Sequence, residues 1–184
     1  MRFHPLAIAG AFVVEPERRD DERGFFARSW CRDEFDAQGL EGRLAQCSVS
    51  FNTRRGTLRG LHYQVAPFEE VKLVRCTRGA IVDVVLDLRP DSPTYLRHSV
   101  VPLSAATHGA VYVPRGVAHG FQTLEDGCEV FYQISEVYAP RAARGVRWND
   151  PRFGIKWPIA NPIMSLRDRC YPDYAPPDLL EVAS

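Results

Sequence analysis

Residues that form turns interrupt this chain at regular intervals, and that regularity limits the folds it can adopt. Clusters of Pro, Gly, Asn and Asp recur roughly every ten residues, and the runs between them are rich in Val, Ile, Tyr and Phe. A series of short strands separated by turns is typical of a β-sandwich or a barrel. We therefore predict an all-β fold: an antiparallel β-sandwich of jelly-roll type with short peripheral helices.

The runs between the turns define the expected elements. We predict a helix at Trp30–Gly39, which Gly39 can end, and a short helix at Ser165–Arg169. The apolar segment Leu6–Val14 indicates an N-terminal strand, and the charged stretch Pro16–Gly24 indicates a loop. The tail after Arg144 is expected to wrap irregularly around the sheet. The other predicted strands are Phe12–Glu15, Leu44–Asn52, Thr57–Gln64, Val71–Thr77, Ala80–Leu88, Leu96–Leu103, Ala110–Val113, His119–Leu124 and Val130–Val137.

Two pairs of consecutive strands are predicted to form hairpins. Only Arg78 and Gly79 separate Val71–Thr77 from Ala80–Leu88, which makes this the clearest hairpin signal of the chain. The second pair, His119–Leu124 and Val130–Val137, flanks the turn residues Glu125-Asp126-Gly127.

Length and composition indicate one soluble domain. The 184 residues fit a single domain, residues 1–184, with a sizeable core. The 23 basic and 23 acidic residues balance, so no overall charge favours nucleic acid or an anionic membrane, and no apolar run reaches transmembrane length. The five cysteines are widely spaced without a C-x-x-C pair, which suits a reducing cytosol. We therefore expect a cytoplasmic protein with no nucleic-acid or membrane partner.

The stretch Gly56–Gln64, GTLRGLHYQ, contains a histidine that the rest of the chain must explain. Gly56 and Gly60, on either side of Arg59 in this stretch, allow the backbone to approach a ligand closely. In regular strand geometry Gly60, His62 and Gln64 share one face, and Arg59 lies on the other. On its own, a histidine in such a strand is more often a packing residue than a functional one.

A metal site is one alternative for this histidine. Cupin-type jelly rolls commonly bind a metal through an H-x-H pair, a downstream Glu and a later His in P-x-G-x-x-H. The later motif is present and ends at His119, whereas the first pair is reduced to one imidazole, His62. A facial triad could still form from both histidines with Glu69 or Glu70. We expect instead a cupin-type scaffold that has no metal.

Without a metal, the chain offers the groups needed to move a proton next to a carbonyl. Imidazole titrates near neutrality, so His62 is the candidate base and His119 is a second imidazole. Lys72 could stabilise the enolate oxygen, and Tyr132 could return a proton on the opposite face. The carboxylates available to this set are Asp83, Asp87 and Asp168.

Each of these residues also has a purely structural explanation. Lys72 could lie on a solvated edge, Tyr132 could pack in the core, and Asp168 could cap a helix. Arg23 and Arg59 each lie beside a glycine, which suits an anion such as a diphosphate, but surface ion pairs explain them equally well.

A series of motifs in a specific order links these residues. The motifs are DERGFF (Asp21–Phe26), LRGLHYQ (Leu58–Gln64), KLVRCTRGAIVDVVLDLR (Lys72–Arg89), VPRGVAHGF (Val113–Phe121), Tyr132, GVRWNDPRFGIKWP (Gly145–Pro158) and SLRD (Ser165–Asp168). Over residues 5–172 this series resembles the dTDP-4-dehydrorhamnose 3,5-epimerases. The order of LRGLH, AHGF and WND is highly specific to that family.

The resemblance implies a cupin-like jelly roll, usually a homodimer, that acts without metal or other cofactor on a nucleotide-linked 4-keto-6-deoxyhexose. It implies that His62 is the base, with Asp168 as its partner, and that Tyr132 is the opposing acid. Lys72 would lie near the keto oxygen. The positions that match substrate-binding positions of the family are Arg23, Arg28, Gln46, Ser48, Arg59, His119 and Arg167, with Arg23 and Arg59 on the diphosphate.

Several binding positions depart from the family pattern, whereas the proton-transfer residues do not. Arg28 replaces a glutamate that contacts the nucleoside, and Ser48 falls where the family's Gln-x-Asn pair has asparagine. Ala143 replaces a second glutamate, and Gln133 stands where a lysine is frequent. The nucleotide, the sugar and the number of epimerised carbons are therefore left open.

The leading hypothesis is an epimerase of a nucleotide-diphospho-4-keto-6-deoxysugar, with dTDP-4-dehydro-6-deoxyglucose 3,5-epimerase favoured. A single-centre epimerase, or one that uses another nucleotide, competes with it. A metal-dependent cupin isomerase or oxygenase is a second class. A non-catalytic module that binds sugar nucleotides is a third.

Overall fold

The computed structural model describes residues 1–176 of the chain. Residues 177–184 of the expected single domain lie outside this range. The elements in chain order are β1 (Arg2–Pro5), β2 (Phe12–Glu15), β3 (Arg18–Asp21), β4 (Gly24–Ala27), α1 (Arg32–Ala37), β5 (Gln46–Asn52), β6 (Leu58–Gln64), β7 (Lys72–Arg78), β8 (Ala80–Asp87), β9 (His98–Ser104), β10 (Ala110–Val113), β11 (Val117–Thr123), β12 (Cys128–Ile134), β13 (Ala143–Gly145) and α2 (Leu166–Arg169).

Two antiparallel sheets face one another and enclose the main core. The six-stranded sheet has the order β1-β2-β10-β7-β12-β5, and the five-stranded sheet has the order β13-β6-β11-β8-β9. Val74 and Val130 of the first sheet pack with Ile81, Val85 and Phe121 of the second, and all are buried. This arrangement confirms the predicted cupin-type antiparallel β-sandwich with short peripheral helices.

The outer faces of both sheets are also covered. Phe35 of α1 packs with Leu73 on the outside of the six-stranded sheet. Phe153, from the irregular tail, packs with Val84 and Leu86 on the outside of the five-stranded sheet. The central strands are therefore apolar on both faces, and the predicted wrap of the tail is confirmed as far as residue 176.

Both predicted hairpins are wrong. β7 belongs to the six-stranded sheet and β8 to the five-stranded sheet, so the chain crosses between sheets at Gly79, whose φ is +78°. β11 and β12 are divided between the sheets in the same way. Strands that are apolar on both faces give no periodic signal that separates neighbours in one sheet from strands that face each other.

The N-terminal region also differs from expectation. Leu6–Val14 is not one strand, because residues 6–11 connect β1 to β2, and the Leu6 N–H donates to the Ala11 carbonyl at 2.9 Å. This connection is apolar because Ile8 and Ala11 are buried in the main core. Pro16–Gly24 is not simply a loop either, because β3 pairs with β4 in a small two-stranded sheet.

The two predicted helices are confirmed in shortened form. α1 lies within Trp30–Gly39, and Gly39 follows it with a φ of +68°. α2 begins after Ser165, whose hydroxyl accepts the backbone N–H of Asp168 at 3.1 Å. Within residues 1–176, no helix is both long enough and apolar enough to span a bilayer.

Candidate active site

His62 lies on β6, on the side of the strand that faces the other sheet. It pairs in register with His119 of β11, whereas Arg59 pairs with Phe121. Between these two pairs, two residues of β6 (Gly60 and Leu61) lie opposite one residue of β11 (Gly120), and this irregularity changes the regular alternation. Arg59, although exposed, projects to the same side of the sheet, and its Nε donates to the Asn52 side chain of the opposite sheet at 2.8 Å. The prediction that Arg59 and His62 occupy opposite faces is therefore wrong.

The irregularity in β6 depends on two glycines. Gly60 has a φ of +132°, a conformation that residues with a Cβ rarely adopt. A Cβ on Gly60 would lie 2.5 Å from the Cα of Gly120, so the backbones of β6 and β11 approach each other at this point. Gly60 was predicted to allow close approach to a ligand, but in the structure it allows close approach to the neighbouring strand β11.

His62 is bonded to Asp168 of α2. The distance from His62 Nε2 to Asp168 Oδ1 is 2.7 Å, and the Gly60 N–H donates to the other carboxylate oxygen at 3.4 Å. Burial alone would raise the pKa of Asp168, but the hydrogen bonds from His62 and Gly60 outweigh burial and hold this pKa below its ordinary value. The buried carboxylate is therefore charged, and it fixes the orientation of the imidazole.

His62 opens onto a cavity of about 170 Å³ at one end of the sandwich. Lys72, at the start of β7, lies in its wall, and its Nζ donates to the His62 carbonyl at 3.1 Å. Glu70 accepts from the same ammonium at 2.9 Å. The residues that line the cavity are Gln46, His62, Tyr63, Gln64, Glu70, Lys72, Ile134, Glu136, Tyr138, Ala143, Arg144 and Arg167.

A second histidine–carboxylate pair lies deeper between the sheets. His119 Nε2 is 2.7 Å from Asp83 Oδ2, and both side chains are buried. The His119 ring meets the edge of Tyr132, with ring centroids 5.9 Å apart. Burial raises the pKa of the Tyr132 phenol far above its ordinary value, and the charge of Asp83 adds to the rise. The phenol therefore keeps its proton.

The proposed acid and base belong to facing sheets. His62 is on β6 of the five-stranded sheet, and Tyr132 is on β12 of the six-stranded sheet, with His119 next to both. A group between the sheets could therefore lose a proton on one side and gain one on the other. Inversion at a carbon acid requires a base and an acid on opposite sides in this way, and of these residues His62 lines the cavity, whereas His119 and Tyr132 lie deeper between the sheets.

The other predicted binding residues fall into two groups. Gln46 and Arg167 line the cavity, and Ser48 is the register partner of Tyr132 on β5. Arg23 does not line it: its side chain is 85% exposed and is bonded to Asp21. Arg28 is likewise outside, where it pairs with Glu34 at 2.8 Å. The structure therefore does not bring these two arginines to the cavity of their own chain.

Two residues of the site were not assigned a role in proton transfer from the sequence. Glu70 was considered only as a metal ligand, although its i, i+2 spacing from Lys72 could have indicated a shared face. Tyr171 follows α2, and its ring meets His62 with centroids 6.1 Å apart. It packs directly on Gly145, where a side chain would have no room. No pattern in the sequence pointed to Tyr171.

Asp87, the third candidate carboxylate, is not part of the site. It accepts hydrogen bonds from Arg89, Ser92 and Thr94 in the turn after β8.

Among residues 1–176, no group of three or more His, Cys, Asp and Glu side chains is arranged to hold a metal ion.

The chain is similar to one family along almost its whole length. The family model described as dTDP-4-dehydrorhamnose 3,5-epimerase matches residues 5–175. A relative with that name from Methanothermobacter thermautotrophicus is 42% identical over 91% of this chain and 91% of its own. A relative from Streptomyces niveus, named dTDP-4-dehydrorhamnose 3-epimerase, is 40% identical over 92% of this chain and 82% of its own.

A solved structure shares the fold. The crystal structure of dTDP-4-dehydrorhamnose 3,5-epimerase from Bacillus anthracis, with TDP and PPi bound, matches with a TM-score of 0.91 and 38% identity. The match covers 94% of this chain and 99% of the other.

Proposed function

This chain belongs to the dTDP-4-dehydrorhamnose 3,5-epimerase family, and on that premise we propose that it epimerises a nucleotide-diphospho-4-keto-6-deoxyhexose through an enolate. As a member of this family it is an isomerase. The favoured substrate is dTDP-4-dehydro-6-deoxyglucose, with inversion at carbons 3 and 5. The observation that carries the proposal is the placement of the His62–Asp168 pair and of Tyr132 on facing sheets, with His62 and Lys72 in the wall of one cavity.

His62 is the proposed base. The Asp168 carboxylate only accepts hydrogen bonds, so His62 Nε2 carries the proton and Nδ1 keeps the free lone pair. The 4-keto group acidifies the hydrogens on carbons 3 and 5, and Nδ1 takes one of them. The imidazolium that forms is stabilised by the charge of Asp168.

Lys72 and Tyr132 complete the reaction. When the C–H bond breaks, its electron pair moves toward the keto oxygen, and the Lys72 ammonium stabilises the negative charge that develops there. Tyr132 then gives its phenolic proton to the carbon from the opposite face. The tyrosinate recovers a proton from solvent and His62 returns its proton to solvent, so the cycle balances without an oxidant or a cofactor.

The remaining polar residues are proposed to bind substrate. Arg59 would bind the diphosphate, and His119 would contact the sugar. Gln46 and Arg167, which line the cavity, and Ser48 would make further contacts to the substrate.

We also propose a cytoplasmic homodimer. Arg23 does not line the cavity of its own chain, but it lies beside the hairpin of β3 and β4, on which Phe26 is 75% exposed. An exposed aromatic ring on a small charged hairpin suits contact with a second copy. In such a dimer Arg23 and Arg28 would reach substrate only from the partner subunit.

A single-centre epimerase is the second candidate. Ala143 lines the cavity in place of the glutamate expected from the family, so one polar contact to the sugar is absent. The similarity to the Streptomyces niveus 3-epimerase is as high as that to several 3,5-epimerases.

The test is NMR of dTDP-4-keto-6-deoxyglucose incubated with the chelator-treated protein in heavy water. Deuterium at carbons 3 and 5 supports the double epimerase, and deuterium at one carbon supports the single-centre alternative. Exchange that requires added metal would instead favour the metal-dependent cupin. Tight binding without any exchange would favour the non-catalytic module.

A further inference from the structure

Glu70 is a buried carboxylate in the wall of the cavity, and one of its oxygens has no hydrogen-bond partner. Its Oε1 lies 2.9 Å from Lys72 Nζ, whereas Oε2 is buried and unpaired within the described residues. We propose that Glu70 is a positioning residue that holds the Lys72 ammonium toward the reacting oxygen. The catalytic part of this inference rests on the function proposed above.

The chain presents Glu70 and Lys72 on one face. β7 begins at Lys72, and Glu70 lies two residues before it, the spacing at which residues of an extended chain share a face. The backbone between them is fixed from both sides, because the Val71 N–H donates to the Ser135 hydroxyl at 2.8 Å and the Ser135 N–H donates to the Val71 carbonyl at 3.0 Å. Glu70 is therefore held in place before any substrate binds.

The hydrogen bonds of Lys72 leave one donor free. An ammonium has three N–H bonds, and here Glu70 Oε1 and the His62 carbonyl accept two of them. Lys72 is only 9% exposed, and the surface that remains faces the cavity, so the third N–H is available to an oxygen there. With two of its three donors engaged, a flexible side chain is reduced to one orientation, which is the preorganisation that stabilises a developing oxyanion.

The unpaired oxygen argues against a role in stability alone. A buried carboxylate oxygen without a partner is costly, and two apolar side chains in place of Glu70 and Lys72 would fill the same space more cheaply. The adjacent Glu69 provides a comparison, because it carries the same group but does not line this cavity. A carboxylate is needed at position 70 only if its charge acts on Lys72.

The sequence makes this ammonium unusually easy to observe. Lys72 and Lys156 are the two lysines of the chain, and Lys156 is exposed. In protein labelled with ¹⁵N-lysine, the Lys72 ammonium should give a signal, because burial and two hydrogen bonds slow its exchange with water. The Lys156 ammonium serves as the internal control.

The first test compares this signal in the resting protein, Glu70→Gln and the matched control Glu69→Gln. We expect Glu70→Gln to shift the Lys72 signal and remove its protection from exchange, whereas Glu69→Gln leaves both unchanged. An unchanged Lys72 signal in Glu70→Gln would overturn the proposal. This readout needs no substrate, so it stands even if the protein fails to act on the nucleotide sugar.

The second test is a double-mutant cycle on turnover with Lys72→Met. We expect Glu70→Gln to lower kcat about 10- to 100-fold with little change in KM, because a displaced catalytic group loses rate rather than affinity. In the Lys72→Met background, Glu70→Gln should cause no further loss. Independent losses that multiply would show that Glu70 does not act through Lys72.

The thermal stability of the same variants gives a separate readout of the pairing between Glu70 and Lys72. Lys72→Met leaves Glu70 as an uncompensated buried charge, so the double variant should melt at a higher temperature than the Lys72→Met single variant. A double variant that is no more stable would contradict the pairing. If the wild-type protein epimerises no nucleotide sugar, the proposed function fails. The NMR signal of the Lys72 ammonium then remains as the test of whether Glu70 positions Lys72.

Discussion

At the scale of single residues, each imidazole and ammonium of the site is paired with a carboxylate of its own. A carboxylate accepts hydrogen bonds only, so it fixes which nitrogen of an imidazole carries the proton and where an ammonium points. The cations that would interact with substrate are therefore oriented in the resting protein. The pairs are His62–Asp168 at 2.7 Å, His119–Asp83 at 2.7 Å and Lys72–Glu70 at 2.9 Å.

Tyr132→Phe separates removal of the proton from its return. The phenol keeps its proton because burial raises its pKa, and His62 does not depend on that hydroxyl to abstract a proton. We expect deuterium exchange at the carbon next to the ketone to continue, whereas formation of the inverted product falls about 100- to 10,000-fold. NMR in heavy water measures both rates in one sample.

Tyr95→Phe is the matched control, because the Tyr95 hydroxyl bonds to the Tyr174 hydroxyl, whereas the Tyr132 ring packs on His119 between the sheets. It should leave both rates unchanged. Equal loss of exchange and of inversion in Tyr132→Phe would show that Tyr132 is not the opposing acid.

Some residue positions could be predicted and others could not. His62 and Asp168 are 106 positions apart, and the resemblance, not spacing or periodicity, indicated that they meet. The face of Arg59 was predicted incorrectly, because a single irregularity in β6 reverses the alternation, and its only mark in the sequence is Gly60, which permits the irregularity without requiring it.

At the scale of elements, Asp87 fixes the turn that follows β8. It accepts from Arg89 Nε at 2.8 Å and from the Thr94 hydroxyl at 2.6 Å. Burial would raise its pKa, but these hydrogen bonds and that of Ser92 outweigh burial and lower the pKa of Asp87 to about 2 from its ordinary 3.8. The carboxylate therefore stabilises the native state as long as it is charged.

The lowered pKa of Asp87 predicts how the stability of the protein depends on pH. A lowered native pKa adds stability above pH 4, and this stability is lost as the pH falls toward 2. Asp87→Asn should lower the free energy of unfolding at pH 7 by about 2 kcal/mol, and its deficit relative to wild type should shrink below pH 4. Guanidinium unfolding at several pH values measures the difference.

The neighbouring substitution Asp91→Asn controls for loss of charge, because Asp91 is exposed in the same turn. It should change the unfolding free energy little at any pH. A deficit of Asp87→Asn that is the same at pH 7 and pH 3 would contradict the assignment.

Element positions were largely predictable, whereas element pairing was not. β2 and β10 have the predicted bounds, and most of the other predicted strands differ by one or two residues at their ends, whereas β1, β3, β4 and β13 were not predicted. Turn residues mark where strands end, but Gly79 permits a turn within a sheet and a crossing between sheets equally well. Only the packing of both inner faces into one core decides between the two.

At the scale of the whole molecule, three hydrophobic clusters, one between the sheets and one on the outer face of each, explain why the site lies where it does. Two sheets share one core, and α1 and the tail cover their outer faces, so most of the interior is filled with apolar side chains. One end of the space between the sheets is lined by charged and polar groups instead. The antiparallel sandwich could be predicted from composition and turns, but the position of this open end could not, because it depends on how strands divide between the sheets.

The most direct test of the account is whether proton abstraction depends on His62. Protein in heavy water is mixed with dTDP-4-keto-6-deoxyglucose, and NMR follows deuterium at carbons 3 and 5 for wild type, His62→Asn and the control His108→Asn, which changes a histidine outside the cavity. We predict exchange with wild type and His108→Asn, and loss of exchange at every carbon with folded His62→Asn. Exchange that persists in His62→Asn would contradict the assignment of the base and, with it, the proposed mechanism.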